Sequence, residues 1–227
     1  MELQAVNLAE LLRFWQDQLA ALDAGGRGGP GTAALRADIH TDLARLGHAL
    51  GSPEQQVLDH LRAAASEHHR VVTDPTADPS LRAGARAELV MALSIVAGTT
   101  SERLDIARAI RQTGAGAQER AQVAEALAAL LLEQPLPPSQ PVASARVRHQ
   151  LAACEAIARA DASGFSLALT DALQAEGPDD APSTDSLLAI TELAIGRLAI
   201  EREIVILDEL PLDPALPRHL SASACDT

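Results

Sequence analysis

Tyrosine and lysine are absent from this 227-residue chain, phenylalanine occurs twice and tryptophan once. Aromatics are 1% of the residues against 47% hydrophobic, so any core has to be assembled from Leu, Ile, Val and Ala. Ala and Leu rank among the best helix formers. A β-sandwich wants β-branched and aromatic residues instead, so the composition points away from it. All 18 basic side chains are Arg, a bias that fits GC-rich coding and carries no chemistry of its own. Two cysteines, Cys154 and Cys225, do not make a disulfide framework, and a reducing cytosol fits them. No apolar run approaches the ~18 residues of a membrane span. The opening MELQAVNLAELLRFW has early acidic residues and no basic stretch, so it reads as a helix and not as a signal peptide. The expectation is a cytoplasmic protein with no membrane partner.

The motifs of catalysis are missing too. There is no Gly-x-Ser-x-Gly elbow. The Gly-rich GGRGGPG (25–31) is neither preceded by a strand nor followed by Gly-Lys-Ser/Thr, so it cannot be read as a phosphate cradle. Seven histidines, His40, His48, His60, His68, His69, His149 and His219, invite a metal. Helical metal sites place ligands on one face, as in His-Glu-x-x-His or paired Glu-x-x-His, and neither pattern occurs. Asp38, His40 and Asp42 are close in sequence, but residues two apart on a helix do not face each other. Cys154 and His149 are five apart, about 140° around a helix, and face different ways. Cys154 reads as a buried structural thiol. With no polar cluster evident, the expectation is no catalytic residue, no metal and no cofactor. The enzymatic rival is a helical metal-dependent hydrolase using His and Asp from separate helices.

What the chain does have is helical periodicity. Apolar stripes at 3.6-residue spacing predict helices over about 3–23 (Leu8, Leu11, Leu12, Trp15, Leu19, Leu22), 33–50 (Leu35, Ile39, Leu43, Leu46, Leu50) and 53–72 (Val57, Leu58, Leu61, Ala65, His68, Val72). Ser52-Pro53-Glu54-Gln55 reads as an N-cap Ser, Pro at the first helical position and Gln three residues after the cap. Asp78-Pro79 opens a fourth helix to about Ala97. Thr100 or Ser101 caps a fifth, and a sixth covers about 119–133. EQPLPPSQPV (133–142) has four prolines and breaks the pattern. A helix then follows at about 143–160, another almost at once with Phe165, Ala168, Leu169, Ala172 and Leu173, and one capped by Ser183 or Thr184 runs to about Glu201. IVILD (204–208) is β-branched and predicts a short extended strip. The expected fold is all-α: eight or nine helices stacked as antiparallel hairpins in one domain, 1–227, with a Pro-rich joint at 134–142. No fixed repeat is present.

The formal charge is −13. A protein this acidic repels phosphate backbones, so nucleic acid is not an expected partner. It attracts a basic protein and speeds that encounter, although acidity also serves solubility. The charge is uneven. Ten acids lie between Glu176 and Asp213 against Arg197 and Arg202 alone, so this segment carries −8 of the total. Glu201, Glu203, Asp208, Glu209 and Asp213 crowd the last helix end and the tail, and are the candidate partner-binding residues.

The order of elements in the C-terminal third has a likeness. DASGFSLALTDAL (161–173), LLAITELAIGRLAIERE (187–203), the strip IVILDELPLD and the close LPRHL (216–220) together resemble the immunity 49 family, proteins found beside polymorphic bacterial toxins. Leu216, Pro217, Arg218 and Leu220 sit where that family's ending falls. ARAELVMALSIVAG (85–98) resembles one of its mid-chain helices. The resemblance implies a non-enzymatic protein that binds and blocks a cognate toxin. A helical scaffold or chaperone-type binding module is the alternative.

Overall fold

The computed structural model describes residues 7–26, 28–96, 100–114, 119–138, 140–175 and 188–206. Among them are nine helices and no strand. They are α1 (Leu8–Ala24), α2 (Pro30–Ala49), α3 (Glu54–Thr73), α4 (Pro79–Val96), α5 (Thr100–Thr113), α6 (Glu119–Leu131), α7 (Ala145–Ala158), α8 (Ala162–Gln174) and α9 (Ile190–Glu201). The predicted all-α architecture is what forms. Successive helices pack as hairpins from α1 to α8, and α9 then returns to the middle of the stack against α4, α7 and α8. One apolar cluster runs from Ala44 to Val205, across the Pro-rich joint. A smaller one joins Ala33, Val71, Ala77 and Ala85 where α2, α3 and α4 meet. Phe165, fully buried, is the single aromatic ring in the main cluster.

Local chemistry explains most boundaries. Asn7 caps α1 by accepting from the Ala9 and Glu10 N–H groups at 3.2 and 3.4 Å. Ser144 caps α7 through Val147 at 3.3 Å, and Asp161 caps α8 through Gly164 at 2.9 Å. Four helix ends close with the N–H of one residue reaching the carbonyl five back: Ser52 to Gly47, Gln134 to Ala129, Asp161 to Ala156 and Ile204 to Ala199. The left-handed residue these turns need is Gly51 in the first, but Glu133, Ala160 and Glu203 in the others.

Several sequence readings are corrected. Pro53, not Ser52, takes the N-cap place of α3, and the helix starts at Glu54. The described start of α9 is Ile190 with Ala189 at the cap, while Ser183 and Thr184 lie outside the described residues. The extended strip does not form over its described part: Ile204 and Val205 bend away directly after the α9 turn, with Val205 buried and Ile206 exposed. The backbone N–H of Ile204 is spent on ending the helix. On α2 Ile39, Leu43 and Leu46 are buried as predicted, but Leu35 and Leu50 are exposed and Arg36 and Arg45 turn inward.

The ends of the stack differ from its middle. Every residue of α9 from Ile190 to Ala199 is buried, whereas α1 has none buried. The α1 stripe of Leu8, Leu11, Leu12, Trp15, Leu19 and Leu22 is only half-covered. Arg36 anchors its C-terminus by donating to the Leu22 and Gly26 carbonyls at 2.7 and 2.6 Å and pairing with Asp23 at 3.2 Å. No helix among the described residues is long and apolar enough to cross a membrane.

Candidate functional site

A helix that is apolar all round is a core helix, and any charge it carries has to be paired there. Glu192 is such a charge: it sits in the first turn of α9 with none of its surface exposed. Its Oε1 accepts from Arg146 Nε at 2.7 Å and from Gln150 Nε2 at 2.7 Å. Arg146 and Gln150 lie one turn apart on α7, so both reach the same oxygen from one face. Thr191, next to Glu192, accepts from Arg120 Nη2 at 3.3 Å and donates to the Met91 sulfur at 3.3 Å. Arg120 also pairs with Glu88 at 3.5 Å, and Arg45 with Asp42 at 3.2 Å.

These groups wall a cleft of about 150 Å³ lined by Arg45, Arg120, Arg146, Gln150, Thr191 and Glu192, with Ser144 and Leu188 at its edge. The N-terminal turns of α6, α7 and α9 all reach it, through Arg120, Ser144 and Arg146, and Thr191 and Glu192. Glu119 fixes the α6–α7 arrangement: its carboxylate accepts from the Ala143 and Ser144 N–H groups at 2.7 and 3.1 Å. Those two bonds hold its carboxyl below the usual range.

The charges extend behind the cleft toward α2, α3 and α4. Burial, with the nearby Glu88 and Asp42, raises the Asp38 carboxyl above its ordinary value, and Arg45 opposes the shift. Burial lowers the His68 imidazole, Glu88 opposing and Arg120 adding to the effect. His40 and His60 meet across α2 and α3 with Nδ1···Nδ1 at 3.1 Å, and burial lowers both. Among the described residues no group of three or more His, Cys, Asp or Glu is arranged to hold a metal ion. Cys154 is fully buried on α7, and desolvation pushes its thiol up to about 12, a value that keeps it protonated and unreactive.

The residues expected to face a partner are placed unevenly. Glu201 is engaged within the fold: it takes a two-pronged contact from Arg103 of α5 at 3.1 and 3.0 Å and a third bond from Arg197 at 3.0 Å. Glu203 is exposed on the turn that ends α9. Asp208, Glu209 and Asp213 lie outside the described residues. The sequence showed no polar cluster, yet the structure builds one. Glu192 had been counted merely as one acid of the acidic segment. The available signal was its setting, a carboxylate inside ITELAIGRLA, where all surrounding residues but Arg197 are uncharged and most are apolar.

Fold and site together define an all-helical protein whose central helix is tied in by buried ion pairs beside a polar, arginine-walled cleft. No family model matches the chain, and neither does any curated protein or solved structure.

Proposed function

We propose that the protein is a non-enzymatic immunity protein that binds and neutralises a cognate bacterial toxin with a basic surface. One observation carries the reading: the −8 balance between Glu176 and Asp213, within a chain of −13. The likeness of the C-terminal third to the immunity 49 family supports it. Two of the ten acids, Glu192 and Glu201, are spent on internal pairs. Glu203, Asp208, Glu209 and Asp213 therefore form the toxin-facing set, and Glu201 ties the end of α9 to α5 through Arg103. Long-range attraction of this kind speeds association and fades with salt.

The test is a triple reversal, Glu203→Arg, Asp208→Arg and Glu209→Arg, with Glu201 left in place because its Arg103 and Arg197 contacts support the fold. Association with the cognate toxin should slow, and its salt dependence should flatten. An unchanged association rate with unchanged salt dependence discards this face.

A general helical binding module is the second reading, and the half-covered leucine stripe of α1 favours it. The two are separated by the number of partners: one tight toxin complex against several weaker ones.

A further inference from the structure

We infer that the cleft between α2, α6, α7 and α9 is a binding site for a small α-amino acid, held at both its charged ends. The inference is independent of the toxin-binding reading. It starts from two orphaned acceptors. Glu192 has no exposed surface, and its Oε2 has no hydrogen-bond partner. Gln150 is 4% exposed, and its Oε1 also has none. Both residues line the cleft. A buried acceptor without a donor is costly, and two on adjacent groups ask for one donor-rich partner. An ammonium carries three donors on one nitrogen and a charge that suits Glu192.

The rest of the wall asks for the opposite charge. Arg45 and Arg146 are already paired, with Asp42 and Glu192, so the group left for an anion is Arg120, and the N-terminal turns of three helices add partial positive charge. Arg120 makes both of its contacts, to Glu88 and to Thr191, through Nη2. Its planar fork is suited to a carboxylate. A simple anion would leave the two orphaned oxygens unsatisfied and sit against Glu192. A simple cation would sit against the Arg120 guanidinium and the three helix N-terminal turns. A ligand with carboxylate and ammonium on one carbon answers both. A volume of about 150 Å³ matches the cavity size that accepts benzene. Alanine has as many non-hydrogen atoms as benzene, so glycine, alanine and serine are of the size that the cleft holds, and L-phenylalanine tests whether a larger side chain is accommodated at its open side.

The experiment is calorimetric titration of the full chain with glycine, L-alanine, L-serine and L-phenylalanine. N-acetylalanine and alanine amide, each lacking one charge, are the comparison arms, and sodium acetate is the simple anion. One of the three small amino acids should bind saturably at one per chain. Both blocked forms should bind about tenfold more weakly or worse. Arg120→Gln, at a side chain one-third exposed and therefore tolerant of change, should weaken binding about tenfold. Glu192→Gln should do the same and should hit the amide arm, which keeps the ammonium, hardest. If no amino acid binds up to about 10 mM, the cleft holds water only and the inference fails. It fails equally if acetate binds as well as alanine, if N-acetylalanine matches alanine (a peptide C-terminus being then the ligand), or if Arg120→Gln leaves the affinity unchanged.

Discussion

Replacing Glu192 by Leu tests how the central helix is held. The substitution keeps roughly the same volume and removes one buried carboxylate. Arg146 then loses a 2.7 Å charge-assisted bond, but its side chain is 24% exposed and can turn partly toward water. Gln150 cannot: it is 4% exposed, and its amide N–H group is left without an acceptor. Stranding one buried amide costs about 1–3 kcal/mol. Breaking a fully buried ion pair costs about 3–5 kcal/mol, and the accessibility of Arg146 argues for the lower end. The expected loss is about 3 kcal/mol, and at about 2–4 °C per kcal/mol for a chain of this length the melting temperature falls by about 6–12 °C. Urea unfolding followed by far-ultraviolet circular dichroism measures it. A double variant with Arg146→Met should be no less stable than Glu192→Leu alone, because the guanidinium that lost its carboxylate has been removed too. The coupling should be about 2 kcal/mol. A single-variant loss under about 0.5 kcal/mol, or additive losses in the double variant, would refute the claim that this pair clamps α9.

Stability should fall with acid in the window set by the histidines. His40, His60 and His68 all titrate below 6.5 in the folded chain, so the unfolded chain binds more protons as pH drops through 6.5. Stability is therefore full above that value and is lost as pH falls toward the folded values. The slope is at most about 1.4 kcal/mol per pH unit for each histidine, and a urea midpoint that does not move between pH 7.5 and 5.5 contradicts it. Arg36→Met should release α1 before the rest unfolds, at a cost of about 1–3 kcal/mol from its two carbonyl bonds. Trp15, the sole tryptophan, should then report an earlier fluorescence transition than the dichroism signal, and coincident curves would count against it. Ala160→Gly should stabilise by about 0.5–1 kcal/mol, because the exposed Ala160 holds a φ of 53° that glycine adopts without strain. A lowered melting temperature would contradict that reading.

The helices were legible because their signals are local. The α8 stripe of Phe165, Ala168, Leu169 and Ala172 is buried as periodicity requires, and Asp78-Pro79 marks the start of α4. Charge pairing was not legible, because its partners are far apart in sequence. Arg103 meets Glu201 across 98 residues, and Arg146 meets Glu192 across 46. On α2 periodicity placed Ile39, Leu43 and Leu46 in the core correctly but gave no sign that Arg36 and Arg45 turn inward while Leu35 and Leu50 stay exposed. Arg36 turns inward because the end of α1 supplies carbonyls, a feature of tertiary geometry and not of the α2 sequence. The three left-handed turns at Glu133, Ala160 and Glu203 carried no glycine to announce them.

The buried pairs also answer a problem that the composition creates. A helix buried on every side, such as α9, has no solvent-facing side to fix its rotation, and a core with Phe165 as its single aromatic ring offers few shapes that lock a single register. The α9 helix carries one carboxylate near each end. Glu192 is held by Arg146 and Gln150 of α7, and Glu201 by Arg103 of α5. A one-residue rotation, about 100°, would leave the Glu192 carboxylate in the core away from Arg146 and Gln150 and would break the Arg103–Glu201 pair, a cost that the apolar contacts would have to regain. The two acids therefore specify where α9 sits more than they strengthen it. That placement puts Glu203 at the surface end of α9 and the free oxygen of Glu192 beside the cleft at its other end.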